Sequence, residues 1–167
     1  MGTFTPGDAD PYFLRGGPAA EAAAHLRLEE YAAAAAGFEA YLLRHAKAQD
    51  ANRLEKGTIV LTLHARMADC LARLGREADA EREFLAEIKD VPWSREGRVG
   101  LAMLYRSQGR DGEARAAVEG LVGSGARPDA EAYWTVVKTF SLLGDGAAAR
   151  EWAARARSKF PRDPRFR

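Results

Sequence analysis

Apolar positions in the stretch 61–128 recur at the spacing of three and four that marks a helix with one buried face, and the pattern is written twice. In the first copy Gly75 separates two such segments, Ala80 and Phe84 follow, and Pro92 closes the second segment. In the next copy Gly109, Ala114 and Val118 stand 34 residues further on. This predicts two helical hairpins in tandem. Glycine at the tight turn relieves backbone strain, alanine lets paired helices approach, a larger residue one turn later fills the gap, and proline stops the second helix.

A 34-residue period with Ala-x3-Phe and a later proline resembles the tetratricopeptide repeat (TPR), in which each unit is two antiparallel helices and neighbouring units stack. The resemblance covers 61–161 well and 18–48 loosely. It implies an all-α chain, a right-handed α-solenoid of antiparallel helix pairs with about three to four units.

Taken in order, residues 1–17 carry Pro6, Gly7, Pro11, Gly16 and Gly17 and read as an irregular arm docked by Tyr12, Phe13 and Leu14. Residues 18–167 read as a single solenoid. Its first unit, 18–48, is degenerate: Tyr31, Ala34, Phe38 and Leu42 stand where the next unit has Glu77, Ala80, Phe84 and Ile88. From Ala34 to Ala80 is 46 residues, 12 more than the period, so 49–60 is an insertion. It adds turns to the following helix or forms a loop with a short extra helix. Unit 61–94 is expected to bury Phe84, Leu85 and Ile88 on its second helix, and unit 95–128 repeats the arrangement with Leu101, Leu104, Val118 and Leu121, closed by Gly123, Ser124 and Gly125. The last unit, 129–161, opens on Asp129 as N-cap and keeps the frame after a one-residue slip, with Gly144 and Ala149 each 35 past Gly109 and Ala114. Its second helix carries Arg150, Glu151, Arg155, Arg157 and Lys159 on one side and is expected to act as its own cap, the alternative being that its face meets another chain or a further domain. The tail 162–167 falls where a further helix would begin.

The abundance of alanine favours helix throughout. The 25 basic and 24 acidic residues leave a net charge of +1, which removes the whole-protein electrostatic argument for nucleic acid or an acidic membrane. Cys70 is the only cysteine, so no intrachain disulfide forms; on an apolar stripe it reads as a small core residue. No apolar run is long enough to insert in a membrane and no signal peptide is visible, so a cytoplasmic location is expected.

Catalytic chemistry is not expected. His25, His45 and His64 lie on different helices without the spacing that puts two ligands on one metal. Glu29 with Glu30, and Glu77 with Asp79, fit the preference of helix starts for acidic side chains. With no phosphate loop, nucleophile elbow or Cys–His arrangement, no cofactor, metal or catalytic residue is assigned.

The TPR resemblance implies instead a groove lined by the first helix of each pair, holding a peptide or helix of a partner protein. The matching positions are Thr62, Ala65, Arg66, Asp69 and Arg73, then Glu96, Val99, Met103 and Arg106, then Glu131, Trp134, Lys138 and Ser141. Arginine and lysine in this set suit carboxylates, and Met103 and Trp134 suit apolar side chains, so the expected ligand is acidic and apolar. Arg66, Asp69 and Arg73 also fit an exposed intrahelical ion-pair ladder. The positions where chaperone-binding members carry a lysine and asparagine clamp hold Ala65, Asp69, Val99 and Met103, which disfavours that ligand. The 34-residue period and neutral charge disfavour the RNA-reading pentatricopeptide relatives. A non-catalytic scaffold is the leading expectation, and the repeat domain of a larger enzyme or assembly the alternative. Any of Trp93, Trp134 and Trp152 left exposed offers a surface for a homodimer.

Overall fold

The computed structural model describes residues 22, 24–26, 28–45, 63–123 and 128–167, all in helices and the turns that join them. The expectations for the arm 1–17, the insertion 49–60, Thr62, Ser124 and Gly125 lie outside the described residues. The chain divides into two compact units, Met1–Asp90 and Val91–Arg167. In the first, helical residues 22 and 24–26 precede α1 (Tyr31–His45), α2 (Leu63–Arg73) and α3 (Glu77–Asp90), and α2 packs on both α1 and α3. In the second, α4 (Arg95–Ser107), α5 (Asp111–Gly123), α6 (Ala130–Leu142) and α7 (Gly146–Lys159) each pack on the next, and a 3-10 turn, Pro164–Phe166, packs on α7.

One turn design closes all four described hairpins. The Gly75 N–H bonds Ala72 O and the Arg76 N–H bonds Leu71 O; Gly109 with Arg106, Arg110 with Tyr105, Gly144 with Ser141 and Asp145 with Phe140 repeat this. These are Schellman closures, in which the residue past the helix end has positive φ and the last carbonyls find donors. Gly75, Gly109 and Gly144 have φ of 76°, 72° and 78°. The first hairpin makes the same two bonds, Glu29 to Leu26 and Glu30 to His25, but with Glu29 at φ 59°. Glu29 is therefore a turn residue and not part of a helix start, the position the sequence assigned it.

Aligned positions of the hairpins carry the core: Ala34 and Phe38, Ala80 and Phe84, Ala114 and Val118 are all buried. The buried stripe of α3 differs from expectation. It is Ala80, Phe84 and Glu87, with Leu85 exposed and Ile88 at the edge. A helix buries positions four and three apart, and Leu85 is turned about 100° from Phe84. Cys70 is fully buried, and burial pushes its thiol up to about 11, which makes it a core residue and a poor nucleophile.

Within the second unit an arginine lies across a glycine. Arg98 donates from Nε to Pro92 O at 2.5 Å and from Nη1 to Ala117 O at 3.2 Å. A β-carbon at Gly120 would stand 1.8 Å from Nη1, so this mid-helix glycine is the space in which the guanidinium sits.

Two stability measurements follow from these local geometries. In denaturant titrations, Glu29→Gly should stabilise by about 0.5–1 kcal/mol and Gly75→Ala should destabilise by about 1–2 kcal/mol, because only the first removes left-handed strain. Gly120→Ala should destabilise the wild type by about 1 kcal/mol but stabilise an Arg98→Ala background by about the same amount, since helix propensity then acts unopposed. Additivity of the two changes would mean that the guanidinium does not occupy that space.

Candidate interaction site

In the first unit the expected groove residues lie on α2. Ala65 is buried, Arg66 and Asp69 are half-buried, and Arg73 is exposed. Arg73 pairs with Asp69 at 3.0 Å, donates to the Tyr31 hydroxyl at 3.1 Å, and lies 5.0 Å over the Tyr31 ring. The ladder is thus formed between Asp69 and Arg73 and tied to the start of α1.

In the second unit the stripe Glu96, Val99, Met103 and Arg106 runs along α4 opposite its buried residues Leu101, Leu104 and Tyr105. The stripe Glu131, Trp134, Lys138 and Ser141 does the same on α6, 35 residues on at every position. The two helices touch within the second unit. Ser94 and Asp129 set the starts of these helices by accepting from Gly97 N at 3.1 Å and Ala132 N at 2.8 Å. Met103 is 44% exposed, which leaves its thioether side chain facing solvent. Arg106 pairs with Asp111 at 2.6 Å, and Lys138 Nζ sits 5.7 Å from the Trp134 ring.

A cleft of about 260 Å³ opens beside these helices, lined by Arg106, Asp111, Arg115, Phe140, Leu143 and Asp145 among others. Arg115 spans it, with Glu119 at 3.0 Å, Glu151 at 3.5 Å and Asp145 at 3.8 Å. Neither Arg115 nor this cleft was foreseen, because only the Glu119 pair is local and those with Asp145 and Glu151 join residues 30 and 36 positions apart. The second residue missed is Phe166. It is buried against Trp134, with ring centroids 6.0 Å apart at 71°, and against Phe160 at 6.3 Å. The neighbouring Arg165 pairs with Glu131. A signal was present, since Asp163 stands 34 residues after the N-cap Asp129 and caps the turn as Asp129 caps α6.

The tryptophans fall into three environments: Trp152 is buried, Trp134 half-buried and Trp93 50% exposed. Among the described residues no group of three or more His, Cys, Asp or Glu is arranged to hold a metal ion, and no helix is long and apolar enough to cross a membrane. The His45 side chain lies outside the described residues, and His25 pairs with Glu30.

His64 on α2 is the most enclosed described histidine. Its Nδ1 meets Glu83 Oε2 at 2.8 Å and its Nε2 lies 4.0 Å from Asp90 Oδ2, both on α3. Burial works against its positive charge, but the Glu83 hydrogen bond and the charges of Glu83, Glu87 and Asp90 outweigh burial and raise its pKa above the ordinary value.

No protein-family model matches this chain, and no curated protein matches it. Among solved structures it is similar to YrrB, described as a TPR protein with an unusual peptide-binding site. The match covers 89% of this chain and 70% of that one, with 17% sequence identity and a TM-score of 0.52. The chain therefore has a TPR-like fold of successive helix pairs.

A raised histidine pKa stabilises the fold while the imidazole is protonated. The α2–α3 contribution should be complete below about pH 6.5, the unfolded value, and be lost as pH rises through the higher folded value. Unfolding curves taken from pH 5 to 9 should show this decline in the wild type and a flatter profile in His64→Gln. Equal pH slopes in both would remove His64 as its source.

Proposed function

We propose that this protein is a non-catalytic interaction module that holds a peptide or helix of a partner protein on the exposed faces of its first-of-pair helices. The observation that carries this is the paired stripe of the second unit. Met103 and Arg106 on α4 and Trp134 and Lys138 on α6 present apolar and cationic side chains at matching register on touching helices. Packing of the buried helix faces does not account for Met103, Arg106 or Lys138, whereas Trp134 also meets the buried Phe166 ring edge-on. Arg66 and Arg73 offer a second, separate set on α2 of the first unit.

The ligand chemistry we assign is acidic and apolar. The Arg106–Asp111 and Arg73–Asp69 pairs are exposed, and exposed ion pairs are held weakly enough for an incoming carboxylate to take over the guanidinium. Guanidinium geometry favours such an exchange because two parallel N–H donors meet two oxygens. Methionine adapts its shape to different apolar partners, and tryptophan supplies a large contact area. The similarity to a TPR protein described as peptide-binding supports the same class of work.

Screening an array of acidic–apolar decapeptides by fluorescence anisotropy would give a binder for mutational tests. Arg106→Glu with Lys138→Glu should weaken it at least about tenfold if the second unit is the site. Arg66→Glu makes the same test of the first unit. Wild-type affinity in both folded variants, checked by circular dichroism, would overturn the assignment.

A further inference from the structure

Contacts from Arg165 and Phe166 tie the segment 161–167 to α6 and α7 of the second unit. Arg165 pairs with Glu131, the Phe166 ring meets the Trp134 ring edge-on, and the Phe166 carbonyl accepts from Arg157 Nε at 2.6 Å. Asp163 preforms the turn by accepting from Arg165 N at 3.0 Å and by pairing with the guanidinium at 2.7 Å. Glu131 and Trp134 are two of the positions at which a bound ligand is expected, and here the chain's own arginine and phenylalanine occupy them. Each contact recognises a different group: a carboxylate takes the guanidinium, an indole takes the ring, and an arginine takes the main-chain carbonyl of the aromatic residue. Pro161, Arg162 and Pro164 are exposed, whereas Phe166 is buried and lies 6.3 Å from the Phe160 ring, and the Asp163 N–H donates to the Phe160 carbonyl at 3.0 Å.

We propose that the Glu131–Trp134 end of α6 is a docking surface for an arginine–aromatic segment of a partner, and that Arg165 and Phe166 fill it in cis as a tethered stand-in. The inference rests on the interaction-module reading and adds a basic–aromatic end to the ligand, next to the acidic–apolar part assigned to Arg106 and Lys138. Tethering sets a threshold. A short tether gives an effective concentration on the order of millimolar, so a partner offering the arginine–aromatic pair alone is outcompeted. A partner that also contacts Lys138, Met103 or Arg106 has the additional affinity needed to displace the stand-in. The surface thereby selects ligands that engage both ends.

The probe is a fluorescein-labelled peptide Asp-Pro-Arg-Phe-Arg, titrated against the full chain and followed by anisotropy. An Arg165→Ala, Phe166→Ala variant should bind it at least about tenfold more tightly than wild type, because the competing segment no longer fills the surface. Adding Glu131→Arg to that variant should return binding to the wild-type level. Phe166 is buried, so Arg165→Glu serves as a second variant that keeps the ring and repels Glu131; it should show a smaller gain. A folded Arg165→Glu chain without any gain, or binding indifferent to Glu131→Arg, overturns the proposal. Collapse of the second unit in the double variant, together with no gain in Arg165→Glu, makes the segment an integral part of the core and overturns it equally. If acidic–apolar peptides bind and this probe does not, the present inference fails alone. If the probe binds and they do not, the ligand chemistry proposed above fails instead.

Discussion

A single left-handed residue just past the helix C-cap is the constraint on which each hairpin rests. The last carbonyls of the outgoing helix find donors only if the chain reverses there, and the reversal brings the following helix back along the first. That return places Ala80 and Phe84, or Ala114 and Val118, against the partner helix and so builds the core. Positive φ is cheap for glycine alone, which makes the interval between glycines the sequence image of the repeat. Where Glu29 takes the place of glycine, the hairpin bears local strain, and the fully buried Ala34 and Phe38 offset it.

Helix α5 joins the second unit from its middle. One side of it is shaped to receive a guanidinium, with Gly120 leaving room for Arg98 to reach the Ala117 carbonyl. The other side sends Arg115 to Asp145 and Glu151, and Glu119 accepts from the Trp152 indole at 3.4 Å. Small residues on α5 thus serve polar reach as much as close packing. The composition of the chain, rich in both alanine and arginine, suits that arrangement.

The repeat was legible because its turn residue and its small-then-large pair are local signals, repeated at 34 or 35 residues with Gly75, Gly109 and Gly144. The Glu29 turn was not, since the same hydrogen bonds form there without the glycine that advertises them. Glu87 was invisible for a different reason: glutamate is rarely buried, so Leu85 and Ile88 looked the better core residues on α3. Of the expected site, the stripes on α4 and α6 could be placed from helical spacing. What each side chain touches could not, because Arg165 lies 34 residues from Glu131 and Phe166 lies 32 from Trp134. Periodicity ranks positions by face and is silent on which distant charge will meet them.

The cations of the α2 and α4 stripes have acidic neighbours within a few residues, as Arg73 has Asp69 and Arg106 has Asp111. With a net charge of +1 as well, the molecule projects little field beyond its own surface. The ligand proposed above would then not be drawn in from a distance, and its rate of capture would be set by the orientation needed at contact and change little with ionic strength. On the proposed reading, discrimination between partners falls to how long each stays once the local ion pairs have been exchanged, and preference is expressed in the dwell time of the complex.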